Sequence, residues 1–132
     1  MILTAKILTG AVALLHLYFL VLEMFLWDKP LGLKVFNNTA EKAKATKVLA
    51  ANQGLYNGFL VAGLSYGLYI GGSTGFQFRV FFLGCVITAG LYGAYSVSRK
   101  IFFIQAAPAI VALLLTLLYR ESLSSKVLNI LN

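Results

Sequence analysis

The sequence predicts an all-α protein, an integral membrane four-helix bundle of up-down topology, and three observations carry that prediction. Hydrophobic residues make up 60% of the chain and charged residues 11%, with a mean hydropathy of +0.85, more apolar surface than one water-soluble core of this length can hide. Apolar runs recur along the chain at about the 20 residues that an α-helix needs to cross hydrocarbon. The connections between the later runs are too short for anything but antiparallel neighbours. In a chain of 132 residues, four such crossings leave no room for a soluble domain, so residues 1–132 are expected to form one transmembrane domain.

The first span is expected at about 5–27. Its apolar stretch, closing on Trp27, is longer than the core of a cleaved signal peptide, and no small-x-small cleavage site follows it directly. Trp27 falls where amphipathic aromatics collect at a membrane interface. The character then changes. Residues 28–47 carry Lys29, Lys34, Lys42, Lys44 and Lys47 against Asp28 and Glu41, and Pro30 and Gly32 break the helix just after the span.

Asn38-Thr39-Ala40-Glu41 has the spacing of a capping box, which starts a new helix near Thr39. Continued to Ile70, that helix exceeds the roughly 30 Å of hydrocarbon, so a basic juxtamembrane extension at about 39–48 precedes the second span at about 49–70. Glycines four apart at Gly54 and Gly58, and again at Gly63, Gly67 and Gly71, make a flat stripe against which another backbone can approach closely. Packing within the chain is the preferred reading, with a homodimer as the alternative.

Gly71-Gly72-Ser73-Thr74-Gly75 reads as a turn and 78–97 as the third span, with Arg79 near its start. Ser98-Arg99-Lys100 is a tight hairpin, and the fourth span follows at about 101–119 with Pro108 inside it. In the tail, 120–132, Leu123, Val127, Leu128 and Leu131 recur at helical spacing, as in an amphipathic segment lying on a membrane surface.

Lysine and arginine outside the spans number seven on the side of the first and third connections (five in the first, plus Arg99 and Lys100) and four on the other (Lys6, Arg79, Arg120, Lys126). That bias places the Lys-rich connection in the cytoplasm and both termini outside. The implied partners are the lipid bilayer and, for the basic 29–47 segment, its anionic headgroups. Nucleic acid is not expected, since only a short segment is basic. The lone Cys85 cannot form an intrachain disulfide, and with His16 as the one histidine the chain has no metal-ligand set. No cofactor signature is present.

Against this apolar background the polar residues fall at one depth. With Trp27 as a boundary, Glu23 lies about 6 Å inside and His16 about 16 Å. Asn52, Gln53, Tyr56 and Asn57 enter from the same side in the second span, Tyr92 ends the third there, and Gln105 opens the fourth. Amides facing acyl chains leave donors and acceptors unpaired, so the expectation is that they turn inward around Glu23. A carboxylate within a span usually marks an ion, proton or ligand pathway, whereas the amides by themselves can be mere interhelical fasteners.

The progression His16, Glu23, Trp27, the nonapeptide at 51–59, Gly90-Leu91-Tyr92-Gly93, and Gln105 followed by Pro108-Ala109 together resemble the small bacterial membrane proteins of the DUF1304 family, over nearly the whole chain to about Leu118. The resemblance implies a four-span protein of the bacterial inner membrane and brings no established activity. Three functions fit the residues: binding or transport of a small cation or amphiphile at the polar layer, acid-base catalysis on a lipophilic substrate by Glu23 and His16, or an accessory subunit with a closed, fully paired layer.

Overall fold

A computed structural model describes the backbone of residues 2–131 and the side chains of residues 2–120. Among the described residues the protein is wholly helical. The order is α1 (Ile2–Phe25), α2 (Pro30–Phe36), α3 (Ala40–Ile70), α4 (Gly72–Ser96), a π-helical turn (Phe102–Ala106) and α5 (Ala107–Leu131). Among the described residues, three stretches are long and apolar enough to cross a membrane: Ile2–Phe25, Gly72–Ser96 and Phe102–Arg120. The chain divides into two compact units, Met1–Val12 with Gly63–Asn132, and Ala13–Ala62.

Within the unit 13–62, α1 ends at Phe25, the break expected just after the span falls at 26–29, and Pro30 opens a short helix. Pro30 occupies its first turn, where the missing N–H costs nothing, and Asn37 closes it in the left-handed region at φ 51°. Gly32 sits against the Leu26 carbonyl, which leaves no room for a side chain. At the start of α3 the backbone N–H of Lys42 donates to Thr39 Oγ1 at 3.2 Å. Thr39 is therefore the cap, and Glu41 stands one residue short of the position from which a capping-box glutamate reaches back.

Trp27 ties the segments together: its indole N–H donates to Thr46 Oγ1 at 3.1 Å, and its ring lies 4.7 Å from that of Phe36. The second crossing expected at 49–70 lies within α3, which is not among the three apolar candidates; Asn52, Gln53 and Asn57 dilute its hydropathy.

In the unit of 1–12 and 63–132, the turn expected over 71–75 contracts to Gly71 and Gly72, with φ of 62° and 57°, and α4 begins at once. Both residues adopt a backbone that L side chains avoid, and that freedom is what lets so tight a corner form. The glycine stripe of α3 is filled from within the chain. Gly63 meets the Phe82 ring, and Gly67 lies against Phe78 and the backbone of Arg79. Residues 97–99 turn the chain between α4 and the final helical stretch. There Gly90 packs on the backbone of Ala106 and Gly93 on Ile101, the pairing of an antiparallel hairpin.

Pro108 has no N–H to give to the carbonyl four residues back, and the helix widens into the π turn just before it. The tail expected at 120–132 continues α5 as helix, and its side chains from 121 onward lie outside the described residues.

Candidate functional site

The unit 13–62 brings the candidate residues of α1 and α3 onto one frame. Gly54 is buried; a methyl group there would lie 3.1 Å from Glu23 Cβ and 3.1 Å from the Met24 backbone nitrogen, and one at Gly58 would lie 2.9 Å from Leu20 Cδ1. The two glycines thus press the α3 backbone against the Leu20–Met24 turn of α1. Residue 57 lies three positions beyond Gly54, about 60° round the helix, and faces the same way. The close approach puts Asn57 Nδ2 within 2.7 Å of Glu23 Oε2, to which it donates.

Glu23 is 5% exposed and His16 1% exposed, both on the inner stripe of α1 as their seven-residue spacing requires. The His16 ring meets Phe19 edge-on at 6.3 Å between centroids. Below Trp27, Asp28 Oδ2 accepts from Lys47 Nζ at 2.8 Å on the surface. That lysine holds the Asp28 carboxyl below its ordinary value of 3.8.

The other candidates lie differently. Asn52, Gln53 and Tyr56 are exposed, not turned inward. The reason is rotational: Asn52 and Tyr56 stand about 160° round the helix from Gly54, on the face opposite the one pressed to α1. In the other unit, Tyr92 is exposed, again about 160° round from the buried Gly90. Gln105 is half-buried within the π turn. Among the described residues, no group of three histidine, cysteine, aspartate or glutamate side chains is placed to hold a metal ion.

One polar residue missed by the sequence reading is Arg79, which is buried and donates from Nη1 to the Gly67 carbonyl at 3.1 Å. The signal was there, since an arginine one turn inside an apolar run needs an acceptor, and the backbone exposed beside a glycine stripe supplies one. The Trp27–Thr46 bond was also missed; nothing in the spacing of an interfacial tryptophan announces a partner 19 residues away.

Fold and site together define a small all-helical protein, rich in apolar helices, with a carboxylate and a carboxamide joined where two of its helices touch. The chain belongs to the family described as "Protein of unknown function (DUF1304)", which matches residues 10–117. It is 34% identical over 110 residues, 82% of this chain and 92% of the relative, to the "Uncharacterized protein YpaA" of Lactococcus lactis subsp. lactis (strain IL1403). No solved structure matches it.

Proposed function

We propose that the protein is a multi-pass membrane protein that binds or moves a small cation or amphiphile at a polar site built on Glu23 and Asn57. One observation carries the reading: an almost fully buried carboxylate on a largely apolar helix, bonded to a carboxamide. An ionised carboxylate has about four acceptor sites, and Asn57 fills one. Taking such a group out of water is costly unless a counter-charge or further donors meet it, which suits a cationic or amine-bearing ligand. His16, about 10 Å deeper along α1, marks the continuation of the path, and that separation is too long for the two to share one proton in catalysis.

On this reading residues 1–132 form one transmembrane domain, a four-helix up-down bundle. The apolar part of α3 crosses beside α1, α4 and the stretch from 102 to 120. Support comes from the apolar side chains that stay on the outside of these helices, such as Leu14, Phe81 and Phe103, each more than 60% exposed. Asn52, Gln53, Tyr56 and Tyr92 then lie toward the Lys-rich rim, where water and headgroups satisfy them; Asn52 is about 8 Å beyond Lys47. Charge bias assigns that rim to the cytoplasmic side of a bacterial membrane, with its lysines at anionic headgroups and both termini outside.

The test is uptake of the lipophilic cation tetraphenylphosphonium by vesicles reconstituted with the purified protein under an imposed proton gradient. Uptake above empty vesicles that disappears with Glu23→Gln supports the proposal. Equal uptake by wild type and variant refutes it.

A further inference from the structure

Well away from Glu23 in the sequence, the unit of 1–12 and 63–132 holds a cleft of about 360 Å³ at the α3–α4 corner. Its wall includes Lys6 from α1, Ser73, Phe76 and Arg79 from α4, and Tyr119 and Arg120 from α5. Three cations thus come together from three helices. Of the four carboxylates in the chain, Glu23, Asp28 and Glu41 do not line the cleft, and the side chain of Glu121 lies outside the described residues.

Each cation is held in a way that leaves it able to bind. Arg79 is 7% exposed and gives one N–H to Gly67; a guanidinium has five. The Arg120 guanidinium carbon stands 4.4 Å over the centroid of the Phe76 ring, so its plane is steadied on an aromatic face at the cleft wall. Lys6 is exposed and supplies a mobile point charge. The first turn of α4 opens on the same space. Its leading N–H groups have no intrahelical acceptor, and the residue before it, Gly71, has no side chain to cap them. The Ser73 and Tyr119 hydroxyls add further groups able to donate beside the three positive charges, with Ile2 and Phe76 as the apolar edge.

We propose that this cleft is an anion site for a phosphate group, taken either from the headgroup of an anionic lipid or from a free phosphate. Planar guanidinium forks match phosphate oxygens in pairs, the helix end favours negative charge, and three like charges so placed repel one another until an anion joins them. The apolar edge suits a phosphate that carries a glycerol or acyl part. The proposal stands independently of the site at Glu23, since it shares no residue with it.

The experiment uses the full chain purified in dodecyl maltoside. Binding of inorganic phosphate is followed by calorimetry, and retention of phosphatidylglycerol against phosphatidylcholine by native mass spectrometry. The variants are Lys6→Gln and Arg120→Gln, both exposed positions, with Lys100→Gln as an exposed charge outside the cleft. Saturable binding of either probe, weakened about tenfold by each cleft variant and left unchanged by Lys100→Gln, supports the site. Retention of phosphatidylglycerol alone assigns the ligand to lipid, and phosphate binding assigns it to the free anion. The proposal is overturned if wild type holds neither probe saturably, or if Lys100→Gln weakens binding as much as Arg120→Gln does.

Discussion

Asn57 and Glu23 meet across the α1–α3 contact because Gly54, three residues before Asn57, has no side chain to hold the helices apart. The bond is 2.7 Å long and part-buried, and its loss leaves the buried Glu23 carboxylate without this donor. Asn57→Ala is expected to lower stability by about 1 to 2 kcal/mol. Glu23→Gln retains an acceptor for the amide and should cost less than half of that. Thermal unfolding of the three proteins in detergent, followed by the fluorescence of Trp27, measures both.

Gly54 and Gly84 make a matched pair. A methyl group at Gly54 runs into Met24 and Glu23, whereas at Gly84 it meets nothing within 4 Å. Gly54→Val is therefore expected to destabilise by about 1 to 3 kcal/mol through forced separation of the helices. Gly84→Ala should stabilise α4 by up to about 1 kcal/mol through helix propensity. Opposite shifts in melting temperature are the outcome to look for.

The Asp28–Lys47 pair sets an acid limb. Lys47 lowers the carboxyl of Asp28 in the folded chain, so the pair contributes stability above the ordinary value of 3.8 and loses it as pH falls through the lower, folded value. The contact is on the surface, so salt should weaken it. Melting temperatures of wild type and Asp28→Asn, recorded from about pH 5 to pH 2, should converge at the acid end. The gap at the upper end should shrink in high salt.

Trp27, the one tryptophan of the chain, reports its own depth. If the α1 end lies at a membrane interface, lipids brominated near the headgroup quench Trp27 more strongly than lipids brominated near the bilayer centre. Thr46→Val removes the acceptor of the indole N–H and should cost about 0.5 to 1.5 kcal/mol without changing that order of quenching.

Much of this was legible in the residues, and the limits have a physical shape. Apolar run length gave α1 and the helical content of the rest, and the Asn38–Glu41 pattern gave the start of α3 to within a residue, the cap being Thr39 and not Asn38. Position along a helix was readable because it depends only on counting; position around it was not, because that depends on the neighbour. Asn52, Tyr56 and Asn57 lie within about a turn and a half of α3, yet of the three Asn57 is the one that bonds to α1. The Gly54–Gly58 stripe held that answer, since the face that two glycines leave bare is the face that packs. The break expected around Pro30 falls at residues 26–29, and Pro30 itself opens the next helix; Pro108, expected inside the last span, lies there just after a π turn. In each case the consequence of the missing N–H is set by which carbonyl lies four residues behind it.

The most direct measurement of the central claim is equilibrium binding of tetraphenylphosphonium to the purified protein in detergent, for wild type, Glu23→Gln and Asn57→Ala. Saturable binding at about one site per chain, abolished by Glu23→Gln and weakened but retained in Asn57→Ala, is the predicted result. Binding to Glu23→Gln as tight as to wild type, or no saturable binding to wild type, would contradict a cation site at Glu23.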